Sequence, residues 1–119
     1  HLLDGEGAMT GIVASIHLDT RELDRITKEL RPRAQKILRE TAGEVSGKAK
    51  TFAPRDTGAL INSIDFRQVD EFAWWVEDGV EYGIYQELGT YKMRAHPFMV
   101  PAVEWVRPHF DERWKELFE

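Results

Sequence analysis

The chain has 119 residues, no cysteine and a formal net charge of −5. Its length predicts one domain, and the missing cysteines remove disulfide frameworks, thiolate metal sites and cysteine nucleophiles. The acidic balance argues against nucleic acid as the principal ligand, because counterion release needs clustered Lys and Arg.

No apolar run approaches the roughly 18 residues of a membrane span, and no signal-peptide pattern appears, so a soluble protein of a reducing compartment is the expectation. Residues 1–8 lack periodicity and precede Met9. They read as a tag remnant or a disordered arm, which leaves 9–119 as a single domain. Residues 11–18 then alternate, with Ile12, Ala14, Ile16 and Leu18 on one face and Val13, Ser15 and His17 on the other. That period of two predicts a half-buried strand. Asp19 with Glu22 three positions on is a capping-box arrangement that opens a helix.

From Leu23 the apolar positions are Leu23, Ile26, Leu30, Ala34, Ile37, Leu38, Val45, Ala49 and Phe52. Gaps of three, four and their multiples draw one helical stripe. Pro32 is costly inside a helix and tolerated in its first turn. The prediction is a short helix ending near Leu30 and a longer one from about Pro32 to Lys50, with one kinked helix as the alternative. Gly43 and Gly47 weaken the second helix and leave room for close approach of another backbone, such as the sheet.

A corner follows over residues 53–64. Pro54 disfavours the α conformation at Ala53, Asp56 and Thr57 can bond backbone groups two residues on, and Gly58 accepts positive φ. Leu60 and Ile64 anchor the corner. Residues 63–69 and 72–77 read as two strands around Asp70 and Glu71, with Phe66 and Ile64 sharing a face and Trp75 pointing opposite to Phe72, Trp74 and Val76. Residues 81–88 suggest a helical turn closed by Gly89, with a strand as the alternative. Residues 90–101 read as a loop holding Phe98 and Met99. Ala102, Trp105, Val106, Phe110, Trp114, Leu117 and Phe118 make a last amphipathic helix that Pro108 should bend or divide. The expected fold is α+β. A small, mainly antiparallel sheet (N-terminal strand plus central hairpin) packs against a long helix, with a Pro32 kink as the open alternative, and a C-terminal helix.

Catalytic and metal readings find little support. No two of the four histidines have the i, i+4 spacing of a helical zinc site. Ser46 and Ser63 lack a nucleophile elbow, and Asp56, Asp65, Asp70, Asp78 and Glu87 have no paired-carboxylate spacing. No phosphate loop surrounds Gly58 or Gly89. Arg31, Arg33, Lys36 and Arg39 are interleaved with Glu29 and Glu40, which suits a solvated helix face. The aromatic load of four Trp, three Tyr and six Phe is high for so small a core. Trp and Tyr, with Arg, dominate interface hot spots.

Several motifs follow one another along the chain. Pro54, Asp56, Thr57, Gly58, Leu60, Ser63 and Ile64 come first. Tyr82, Tyr85, Glu87, Gly89 and Thr90 follow, then Pro97, Phe98, Pro101 and Ala102. In that order and spacing they resemble the tail-component family named after phage Hong Kong 97, with a likeness to minor tail protein Z. His96 before Pro97 departs from the pattern without disturbing its frame. The resemblance implies a non-enzymatic virion protein of the head–tail junction, a neck or tail-completion part, with no cofactor. It would assemble in the host cytoplasm as a homo-oligomeric ring. Its partners would be other head–tail connector and tail proteins, with DNA only passing through the lumen and no membrane contact. Trp75, Tyr85, Lys92, Met93, Arg94 and Phe98 are the expected subunit contacts. Two competing readings are a small nucleic-acid or regulatory binding domain using the Arg31, Arg33, Lys36 and Arg39 face, and a hydrolase built on scattered carboxylates.

Overall fold

The computed structural model describes residues 12–53, 58–77 and 98–119. Chain order is β1 (Ile12–His17), α1 (Thr20–Arg25), α2 (Arg31–Phe52), α3 (Gly58–Ser63), β2 (Asp65–Asp70), β3 (Ala73–Glu77) and α4 (Met99–Leu117). The strands form one antiparallel sheet in the order β1-β3-β2. The fold is therefore α+β, with an N-terminal strand added to a central hairpin. One residue row crosses Ala14, Val76 and Phe66, and the next crosses Ser15, Trp75 and Arg67. Side chains alternate between faces, so the first row meets the core and the second turns away from it.

α2 is the middle layer. It packs on α4 along one side and on all three strands along the other. Ala34, Leu38, Thr41, Ala42, Val45, Ser46 and Ala49 are buried, and most are small, which lets two layers approach one helix. Gly43 faces the sheet, where an added Cβ would stand 3.4 Å from the Phe66 ring. Gly47 has nothing within 4 Å of that position. The expected close approach is thus to a side chain at Gly43 and absent at Gly47. The Thr41 hydroxyl donates to the Ile37 carbonyl at 2.7 Å, so its burial leaves no orphan donor.

Several expected boundaries shift. α1 ends at Arg25 rather than near Leu30, because Ile26 is extended. The Leu30 and Arg31 amides then donate to the Thr27 carbonyl at 3.1 Å, and the Leu30 amide also reaches Thr27 Oγ1 at 3.3 Å. Pro32 falls in the first turn of α2, where its missing N–H is not needed, so it starts the helix rather than kinking it. The corner is partly helical: Gly58 opens α3 instead of pivoting a turn, and Ser63 ends α3 instead of starting a strand. Ile64 is 1% exposed and anchors the junction as expected. Pro108 does not divide the last helix, since α4 runs unbroken through it with buried residues on both sides. Leu23 and Phe52, both expected in the core stripe, are exposed.

α1 buries none of its own residues, and six residues are too few for an independent helix. Its start is fixed by Asp19, whose carboxylate accepts the Glu22 amide at 2.9 Å. Its body is tied to α4. Trp114 Nε1 donates to Glu22 Oε2 at 2.8 Å, and the Arg25 guanidinium lies 3.9 Å from the Phe118 ring centroid. Phe110, Trp114 and Phe118 form a ladder with successive centroids 5.6 Å apart, the i, i+4 spacing of one helix side.

Three outcomes follow. Gly47→Ala should raise stability by about 1 kcal/mol, the helix-propensity difference with no steric penalty, measured by denaturant unfolding. Leu38→Ala should lower it by about 2–5 kcal/mol, because the site is enclosed on both sides. The Glu22 amide bond holds the Asp19 carboxyl below its ordinary value of 3.8. The cap's stabilisation is therefore present above that value and lost as pH falls through the folded pKa. The stability gap between wild type and Asp19→Ala should be constant near neutrality and narrow in acid.

Candidate interaction surfaces

The sheet face turned away from α2 carries Trp75 at its centre. Arg67, directly across the ladder, places its guanidinium 4.9 Å from the Trp75 ring centroid and donates from Nε to Glu77 Oε1 at 2.7 Å. Trp75 is half-buried, so these neighbours fix its ring while leaving one side open. On the same face Ser15 Oγ and His17 Nδ1 lie 3.3 Å apart.

A second surface is the seam between α2 and α4. Arg113, its side chain 17% exposed, donates from two guanidinium nitrogens to Glu40 Oε1 and Glu44 Oε1, each at 2.8 Å. His109 Nδ1 sits 3.3 Å from Glu44 Oε2. Beyond this clasp the seam opens into a groove of 340 Å³ floored by Gly47 and Val106 and walled by Lys48, Thr51 and Trp105. Trp105 is 63% exposed, with Lys48 Nζ 4.4 Å from its ring centroid. Its expected place in the α4 core stripe is taken by Val103, which is fully buried. The reason is angular: Trp105 lies about 125° around the helix from the middle of the stripe formed by the buried residues of α4. That signal was present in the sequence, but the size and apolarity of Trp masked it.

The third surface is a depression of 270 Å³ where α2 meets the sheet, lined by Pro32, Gln35, Lys36, Arg39, Gln68 and Trp74. Arg31 is engaged beside it, pairing with Glu71 and lying 5.9 Å from the Phe72 ring centroid. Lys36 and Arg39 have no acidic partner among the described residues. Trp74 Nε1 is buried and finds no acceptor among them either.

The expected site residues divide unevenly. Phe98 is 1% exposed and belongs to the core. Its ring is enclosed by its own subunit, which corrects the reading of Phe98 as a contact on a reaching loop. Met99 is likewise buried and begins α4. Pro101 lies in the first turn of that helix. Pro54, Asp56 and Thr57 lie outside the described residues, as do Tyr85, Glu87, Gly89, Thr90, Lys92, Met93, Arg94 and Pro97. So do residues 1–8. Among the described residues no three His, Asp or Glu side chains gather as a metal site, and no helix is long and apolar enough to cross a membrane.

The model of the bacteriophage HK97-gp10-like tail-component family matches residues 20–89, more than half of the chain. The chain belongs to this family. The match runs from the start of α1 past the end of β3, so it takes in the buried face of α2 and the Trp75 strand but stops short of α4. No curated protein and no solved structure gives a significant match. Membership makes the protein a bacteriophage tail component, a virion part that interacts with other phage structural proteins.

The clasp between α2 and α4 gives a direct check. Arg113→Met keeps much of the buried stem and removes both carboxylate bonds. Because Glu40 and Glu44 are partly exposed, the expected loss is about 1 kcal/mol. It should shrink in high salt when unfolding is followed in urea, an uncharged denaturant.

Proposed function

We propose that this HK97-gp10-like protein is a structural part of the phage head–tail junction, a neck or tail-completion protein. In this reading it assembles as a ring and docks between head-completion or portal proteins and the tail tube, without catalysis. The observation that carries the proposal is the tail-component family match over residues 20–89. The surfaces suit it. Large aromatic side chains are held on the outside by cations, Trp75 by Arg67 and Trp105 by Lys48, and such residues supply contact area at low entropic cost. An acidic subunit with net charge −5 would give a ring lumen that repels DNA and lets it slide. Residues 9–119 act here as one unit, and the remaining contact candidates are Trp75, Tyr85, Lys92, Met93 and Arg94.

Trp75→Ser tests the reading. The substitution lies on the sheet face away from the core, so the variant should fold with little loss of stability. It should fail to complete tails in an in vitro assembly assay scored by infectious particles. A folded variant that yields wild-type numbers of particles would contradict the docking role of this face.

A further inference from the structure

The outer stripe of α4 and the depression between α2 and the sheet are opposite in charge. On α4, Trp105, Glu112 and Glu116 fall within about 40° of one another around the helix and span about 17 Å along it. Trp105 projects into solvent, and Glu112 and Glu116 are exposed with no cationic partner among the described residues. The depression between α2 and the sheet presents the opposite pattern. Lys36 and Arg39, exposed and without acidic partners among the described residues, stand about one turn apart on α2 and share the lining with Trp74, Gln35 and Gln68.

We propose that the outer stripe of α4 in one copy docks on the depression between α2 and the sheet in the next copy. Trp105 sits at the mouth of the depression, and Glu112 and Glu116 face Lys36 and Arg39. This rests on the self-assembly reading above and gives it a surface. Arg39 and Trp74 offer a cation–π and a ring contact to Trp105, while the carboxylates meet two cations that have no acidic partner among the described residues. A nucleic-acid strand is the weaker occupant. Two or three cations neutralise few phosphates, and the chain as a whole carries −5. Because the two surfaces differ, the contact is heterologous. It builds a ring if its rotation closes and a filament if it does not.

Charge reversal separates the possibilities. Glu112→Lys/Glu116→Lys and Lys36→Glu/Arg39→Glu alter exposed positions, and circular dichroism confirms that each variant folds. Mass is then measured against concentration at low salt by sedimentation equilibrium. Wild type should associate, each reversed variant should associate at least tenfold more weakly, and an equimolar mixture of the two should recover association because their reversed surfaces match. Trp105→Ala should weaken association without changing its salt dependence. Variants that associate as well as wild type would overturn this contact and leave self-assembly standing through another face. Wild type that stays monomeric throughout would overturn both. Retention of wild type on immobilised DNA, lost in Lys36→Glu/Arg39→Glu with no self-association in either, would assign the depression to nucleic acid and overturn the proposal.

Discussion

The fold depends on α2 being thin enough to be covered twice. A helix packed on one side can be broad, whereas one packed between a sheet and a second helix must present small residues or shapes that interlock on both sides. Ala34, Ala42, Ser46 and Ala49 meet that demand, with Leu38 and Val45 filling the space between layers. Gly43 extends it by admitting the Phe66 ring of β2. What α2 lacks in side-chain bulk its neighbours supply, as Val103, Val106, Phe110 and Trp114 of α4 and Ile16 and Val76 of the sheet close the core from either side. The polar clasp of Arg113 on Glu40 and Glu44 lies at the edge of this contact, where solvent tempers its strength.

Much of this could be read from the residues. Alternation through Ala14 and Ile16 marked β1, the Asp19–Glu22 pair marked the start of α1, and Pro32 marked the start of α2. The strand pair around Asp70 and Glu71 and the opposite orientations of Trp74 and Trp75 followed from the pleat. What escaped the reading has physical causes. α3 is six residues in a stretch rich in turn formers, and local propensity for Gly58 and Ser63 points away from helix. Pro108 ought to break α4, yet the helix is held from both ends by packed residues that one missing backbone bond does not overcome. Leu23, Phe52 and Trp105 match an apolar period but stay exposed. Hydrophobicity reports a preference for burial, and only the arrangement of the other elements decides whether burial is available.

The same logic connects fold to function. A core built around a slim central helix fills quickly, so rings beyond its capacity must lie on the surface, and the cations beside Trp75 and Trp105 hold them there in fixed orientations. A tail component of the HK97-gp10-like family works through contacts with other structural proteins, and outward-facing, preorganised aromatic groups lower the ordering cost of such contacts. Phe98 marks the other limit, a ring next to the motif-bearing segment that is spent entirely on closing its own subunit.

The measurement that bears most directly on this account is amide hydrogen exchange of the free protein compared with the protein in assembled tails. If one subunit closes its own core around α2, the amides in the middle of that helix are the slowest in the free protein and remain so on assembly. New protection then appears at β3 and along the outer side of α4. Rapid exchange throughout α2 in the free protein, slowed only in the tail, would show that the fold is completed by neighbouring subunits and would contradict the account.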